Sequence, residues 1–170
     1  MLKYLIRDLT AAIRYLPYGL FAGVLVAIFL KAINAGRLKK NKQILSVPAI
    51  TSFAVYVIII LCITFFSREN GASNGIDMKL FSTWGINDRN NAYVIENILL
   101  FIPYGVTLAW AVKRARGFLC CALFGVLTSV GIECLQLITA RGYFQIDDIL
   151  TNTLGTIIGY FLFRIFYAVK

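Results

Sequence analysis

Glu133, Asp148 and Asn152 stand within, or at the ends of, apolar runs long enough to cross a bilayer. Hydrocarbon penalises a carboxylate by roughly 2.5 to 3.5 kcal/mol on insertion scales, so such groups normally face a bundle interior or a wet cavity. There they hold a ligand, relay protons or pair with other polar groups. Ser129, Glu133 and Gln136 are spaced by four and three residues, which puts them on one helical face. Asp148, Asn152, Gly155 and Gly159 form a second stripe, spaced by four, three and four. The two stripes are expected to face each other, with Gly155 and Gly159 permitting close helix approach. Gln136 and Asn152 suit helix-to-helix hydrogen bonding as well as ligand binding. Glu133 and Asp148 carry a charge penalty that neutral amides would avoid, which favours function for them. Asp148 also suits a helix N-terminus, where free amides and the dipole favour negative charge. Arg141, in the short connection before Asp148, is the nearest cation.

The elements that must position these residues are transmembrane helices. The chain has 170 residues, is 59% hydrophobic and has a mean hydropathy of +0.77. Ordinary soluble domains are roughly 45 to 50% apolar. The fold class expected is all-α: a polytopic membrane bundle forming a single domain over 1–170. About 20 residues cross the roughly 30 Å hydrocarbon core. On that measure five spans are predicted, at about Tyr15 to Ile33, Pro48 to Phe66, Val94 to Val112, Phe118 to Ile138 and Ile149 to Tyr167. Four spans are the alternative, if the first run does not fully cross. Before it, Leu2, Leu5, Ile6, Leu9, Ile13 and Leu16 recur at helical intervals, as in an amphipathic helix lying in the interface. The first apolar run is long and lacks a small-residue cleavage site, so it is expected to stay as an anchor.

The net charge of +9 is distributed as in a membrane protein. Lys31, Arg37, Lys39, Lys40 and Lys42 fill one connection, and Lys113, Arg114 and Arg116 fill another. Basic residues gather in cytoplasmic loops, where they meet anionic lipid. No groove-reading element or stacking platform accompanies them, so nucleic acid is not an expected partner. This topology puts the amino terminus outside, against the preference of Lys3, Arg7 and Arg14. It also puts Glu133 about 22 Å along the fourth span, in the outer leaflet, with Glu96, Asn97, Asp147, Asp148 and Asn152 at the same side.

The remaining features have plainer readings. The loop 67–93 holds Asn70, Gly71, Ser73, Asn74 and Gly75, then Asn87, Asp88, Asn90 and Asn91, residues that favour turns. Met78, Leu80, Phe81 and Trp84 are suited to dip back into the interface as a short element. Pro103 interrupts the third span and removes the donor to the Leu99 carbonyl, which predicts a kink. Gly19 and Gly23 are a packing signal. Cys62, Cys120, Cys121 and Cys134 lie in apolar runs, match no zinc spacing and have no histidine beside them, so they read as small hydrophobes. Neither a metal nor a cofactor is expected.

Three stretches carry a family resemblance. Asn97 to Gly105 reads NILLFIPYG, Ser129 to Gln136 reads SVGIECLQ, and Arg141 to Gly159 reads RGYFQIDDILTNTLGTIIG. In order and spacing they resemble the VanZ-like family of small bacterial membrane proteins, with core motifs over 94–165. The resemblance maps onto Asn97, Phe101, Pro103, Gly105, Ser129, Glu133, Gln136, Arg141, Asp148, Asn152, Gly155 and Gly159. The chain departs from the family pattern at Gln145, where relatives often have aspartate, and in Lys79 to Trp84, which lacks an Asn-Leu-x-Pro-Phe element.

The family is named for a protein that lowers susceptibility to the lipid-tailed glycopeptide teicoplanin. The resemblance therefore implies a multi-pass protein of the cell membrane that acts in the envelope. Candidate ligand-binding residues are Asn97, Ser129, Glu133, Gln136, Arg141, Asp148 and Asn152, with Pro103, Gly105, Gly155 and Gly159 in packing or kink roles. Expected partners are membrane lipids, a lipid-linked cell-wall precursor or the glycopeptide itself, and an oligomer is compatible. Two other classes stay open. One is an intramembrane enzyme acting on a lipid-linked substrate, with Glu133 and Asp148 as acid and base and Arg141 placing an anion. The other is a small transporter subunit.

Overall fold

The computed structural model describes residues 1–66 and 73–168, and its helices follow the apolar runs. Helix α1 (Leu2–Ala12) passes through a tight turn (Ile13–Tyr15) into α2 (Leu16–Lys39). Next come α3 (Val47–Leu61), extended by a wide helical turn (Cys62–Phe66), and strand β1 (Ser73–Asp77). Helix α4 (Asp88–Ala111) leads through a tight turn (Lys113–Arg116) to α5 (Phe118–Ile138). Strand β2 (Arg141–Gln145) and helix α6 (Ile146–Ala168) complete the order. Five helical runs are long and apolar enough to span a membrane. An all-α polytopic bundle is therefore what the chain forms.

The amphipathic helix expected at the amino terminus is α1, and through the tight turn Ile13–Tyr15 it continues into α2 as one helical run, Leu2–Lys39. At 1.5 Å per residue its 38 residues measure about 57 Å, well beyond the hydrocarbon core, so part of it lies outside or the run tilts. Leu2, Ile6 and Leu9 of α1 face outward while Leu5 is buried. The amino group of Met1 pairs with Asp88 at 2.8 Å, which brings the chain's start to the same end of the bundle as the start of α4. Arg7 is neutralised by its neighbour Asp8, at 2.6 and 3.0 Å, so one of the cations that opposed this sidedness carries its own counter-charge.

The bundle is assembled through glycines. Gly19 and Gly23 lie against Ile59 and Val55 of α3, with 2.7 Å from a Cβ at Gly19 to the Ile59 side chain. These pairings make α2 and α3 antiparallel. Helices α4 and α6 run parallel and in backbone contact: a Cβ at Gly105 would strike the Thr156 carbonyl, at Gly155 the Ile98 carbonyl, and at Gly159 the Ile102 carbonyl. Such small-residue seams let dispersion contacts drive association where lipid supplies no hydrophobic force. Phe101, Tyr104, Leu108, Cys121, Ile132, Tyr160 and Phe163 fill the core between α4, α5 and α6.

Pro103 does not break α4, which is assigned as one helix through it. The proline faces outward, and the carbonyl of Leu100, three residues before it, accepts a 2.6 Å hydrogen bond from the Tyr56 hydroxyl of α3. A neighbouring helix thus supplies a donor beside the proline, as lipid cannot. Cys62 and Cys121 are buried and Cys120 is exposed.

The connection after α3 contains an unexpected element. Strand β1 pairs in parallel with β2, in register from Ser73 with Arg141 to Asp77 with Gln145. Met78, Leu80, Phe81 and Trp84 are all exposed, the last three in turns. The turn expected at Asn70 and Gly71 lies outside the described residues.

Candidate functional site

The polar residues singled out by spacing gather at the end of the bundle where α5 stops and α6 begins. Asn152 Nδ2 donates to Ser129 Oγ at 2.9 Å across the α5–α6 interface. One turn deeper, Gly125 of α5 lies against Thr156 of α6, 2.8 Å from its hydroxyl to a Cβ at Gly125. The two contacts define an antiparallel register, and continuing it one turn outward places Glu133 level with Asp148. Ser129 thus faces Asn152 as the spacing predicts, but the stripes do not face each other over their whole length: Gly155 and Gly159 turn to α4 and Gln136 to the end of α3. Ser129, Glu133 and Gln136 are each 1% exposed or less, and Asn152 is 3% exposed.

Glu133 and Asp147 are held by backbone amides. Glu133 Oε2 accepts from the Gln145 amide at 2.9 Å, tying the end of β2 down onto α5. Asp147, in the first turn of α6, accepts from the amides of Phe81 at 2.7 Å and Thr83 at 2.9 Å, and more distantly from the Ser82 hydroxyl. Charge-assisted acceptance from amides is stronger than a neutral bond, so the 78–87 segment is wrapped onto α6 by this one side chain. Asp77 accepts from the Lys79 amide and the Ser82 hydroxyl. These two bonds, the backbone one foremost, hold its carboxyl below the usual carboxylate range.

The third wall of the cluster is the end of α3. Gln136 Nε2 donates to the Thr64 carbonyl at 2.8 Å, and Arg141 Nη1 donates to the Phe65 carbonyl at 3.1 Å. The Arg141 guanidinium also stands 4.5 Å from the centre of the Phe65 ring. Both carbonyls lie in the wide turn Cys62–Phe66 that extends α3. Glu133, Arg141 and Asp148 all have further partners.

Two acceptors in the cluster stand apart. Gln136 Oε1 and Asn152 Oδ1 are buried and receive no hydrogen bond among the described residues. The cluster thus holds an excess of acceptors. Asn97 is half-buried on α4, and its side chain makes no hydrogen bond among the described residues. Glu96, beside it, is also half-buried with an unpartnered oxygen, and faces α1 rather than α5. Among the described residues no three His, Cys, Asp or Glu side chains gather closely enough to hold a metal ion.

Residues 53–167 match the VanZ/LLP1 family. The chain belongs to that family. A similar relative is Protein VanZ of Enterococcus faecium, 28% identical over 113 residues, covering 62% of this chain and 67% of the relative. No solved structure matches the chain. The family match spans α3 to α6 almost completely and includes the seams and polar cluster described above. The VanZ/LLP1 region is thus a four-helix unit closed by β2, with α1 and α2 packed along it.

Spacing alone missed several participants. Asp147, placed at this end by the sequence but given no role, and the Thr64 and Phe65 carbonyls help build the cluster. The Asp147–Asp148 doublet at a helix start was the available signal for the first. The carbonyls carried none.

Proposed function

We propose that this VanZ/LLP1 membrane protein is a non-catalytic component of the bacterial cell envelope that lowers susceptibility to lipid-tailed glycopeptides such as teicoplanin. It does so by binding, at the outer end of its bundle, a hydrogen-bond-donating part of the drug or of a lipid-linked wall precursor. The observation that carries the reading is the pair of buried acceptors without donors, Gln136 Oε1 and Asn152 Oδ1, beside the buried Glu133 carboxylate. Leaving a buried polar atom unsatisfied costs about 1 to 3 kcal/mol, and a donor supplied by a ligand recovers it. Hydroxyls, amides and ammonium groups are donors of this kind, and all suit an acceptor-rich site in a water-poor place. Access requires the 78–87 segment, clasped on Asp147, to yield.

The test is susceptibility to teicoplanin in a glycopeptide-sensitive bacterium expressing the chain, with protein level controlled. Glu133→Gln and Asn152→Ala are expected to abolish the protection, and purified protein carrying either change to bind the drug about tenfold more weakly, the equivalent of one lost contact of 1.4 kcal/mol. Full protection by both variants would remove the cluster from the mechanism.

Glu133 and Asp148 standing level across α5 and α6 favours a second reading, an acid–base pair acting on a lipid-linked intermediate. Lipid profiles separate the two. A species that accumulates in a deletion strain and is restored by the wild type but not by Glu133→Gln supports catalysis, and unchanged profiles discard it.

A further inference from the structure

The opposite end of the bundle carries a second feature, independent of the polar cluster. A hollow of about 230 Å³ is lined by Arg116, Phe163, Arg164 and Tyr167. The Arg116 guanidinium carbon stands 5.0 Å from the centre of the Tyr167 ring and its Nη1 donates to the Tyr167 hydroxyl at 3.4 Å, while Tyr167 stacks on Phe163 with ring centres 5.2 Å apart. One such long bond leaves most of the guanidinium's five donors for other acceptors. Arg116 Nε is buried and has no acceptor. Arg164 Nη1 makes only long contacts, 3.5 Å to the Arg116 carbonyl and to the Tyr160 hydroxyl. Tyr160 donates to that same carbonyl at 3.3 Å, so the tight turn before α5 and the last turns of α6 are held in one arrangement.

Among the described residues neither arginine has an ion pair. The sequence has no Asp or Glu between Asp8 and Glu69, between Glu96 and Glu133, or after Asp148. The acids of the described residues, Asp8, Asp77, Asp88, Glu96, Glu133, Asp147 and Asp148, belong to the other end of the bundle or to the segments that cap it. Arg164 lies 16 residues beyond Asp148 on α6, about 24 Å along the helix, at the depth of the opposite headgroups. Two guanidiniums beside aromatic rings at headgroup depth match a phosphate with an apolar tail.

We propose that Arg116 and Arg164 form a binding site for the phosphate of an anionic phospholipid in the leaflet facing the basic loops, the cytoplasmic one by the positive-inside rule. Phe163 and Tyr167 pack against its glycerol and first acyl carbons. The site selects a lipid with net negative charge, since a zwitterionic lipid brings a second cation against the arginines.

The full chain, purified in detergent and titrated with phosphatidylglycerol, phosphatidylcholine or inorganic phosphate, is read by native mass spectrometry. Wild type is expected to retain one phosphatidylglycerol at least tenfold more tightly than phosphatidylcholine. Arg116→Gln with Arg164→Gln is expected to abolish that preference, with the melting temperature reporting that the variant is folded. Lys39→Gln with Lys40→Gln, on another basic segment, is expected to retain it. Equal retention of both lipids by wild type, or of phosphatidylglycerol by the double arginine variant, overturns the proposal. Equal loss in the lysine variant does so too, since it marks a diffuse surface potential rather than a site. Displacement of the lipid by millimolar inorganic phosphate assigns the site to free phosphate and overturns the lipid reading.

Discussion

The Ser129–Asn152 contact is a hydrogen bond with unequal sides. Asn152 donates one amide hydrogen to Ser129 and leaves its oxygen without a donor. Replacing Ser129 by alanine strands the buried amide donor as well, whereas replacing Asn152 by alanine removes the unsatisfied oxygen along with the bond. A serine hydroxyl left behind in a helix can turn back to the carbonyl four residues earlier, as Thr156 does onto Asn152. Ser129→Ala is therefore expected to destabilise by about 1 to 3 kcal/mol and Asn152→Ala by less, near the roughly 0.6 kcal/mol average for hydrogen bonds between membrane helices. Unfolding in mixed detergent micelles measures both. A larger loss for Asn152→Ala would show that its oxygen has a donor after all. The same scale explains why the two departures from the family pattern are tolerated by the fold. Gln145 engages Glu133, and Phe81 and Thr83 engage Asp147, through main-chain amides that any non-proline side chain leaves in place.

Among the elements, the α4–α6 seam admits the least change. Gly105 faces the Thr156 carbonyl, and backbone cannot move aside as a flexible side chain can. Gly105→Ala is expected to destabilise by about 1 to 3 kcal/mol, the usual range for an overpacked core, and to separate the helices that carry the cluster. Gly131→Ala is the control: it meets nothing within 4 Å and faces outward, and alanine is the better helix former. Thermal melts of the two variants in the same detergent compare them. An unchanged melt for Gly105→Ala would mean that α4 and α6 are farther apart than the seam implies. The glycine spacing was legible in the sequence, but its partner was not. Gly155 and Gly159 pack against α4, while the face that meets α5 presents Asn152 and Thr156.

For the whole molecule, the amino terminus is the discriminating point. Met1 reaches Asp88, so the start of the chain shares an end of the bundle with β2 and the polar cluster. In a chain with its four cysteines replaced by alanine, a single cysteine at exposed Leu2 or Tyr143 is expected to react with a membrane-impermeant thiol reagent in intact cells. A cysteine at exposed Lys40 is expected to react only after permeabilisation. Labelling at Tyr143 but not at Leu2 in intact cells would favour the four-span arrangement with an internal amino terminus.

Composition and periodicity determined that this chain is a bundle of membrane helices, because burial in lipid demands long apolar runs with backbone satisfied internally. Spacing also determined which side chains share a face, since a helix repeats every three to four residues. The tertiary structure decided the rest. The pairing of β1 with β2 joins segments far apart in sequence, and neither strand shows an alternating pattern strong enough to announce it. The Thr64 and Phe65 carbonyls become part of the site because the bundle brings the end of α3 beside Gln136 and Arg141. Their availability is a property of backbone geometry, which leaves no mark in residue identity. Asn97 shows the converse: it belongs to the family motif and is half-buried on α4, yet no hydrogen bond among the described residues ties it to the cluster that Glu133, Gln136 and Asn152 form.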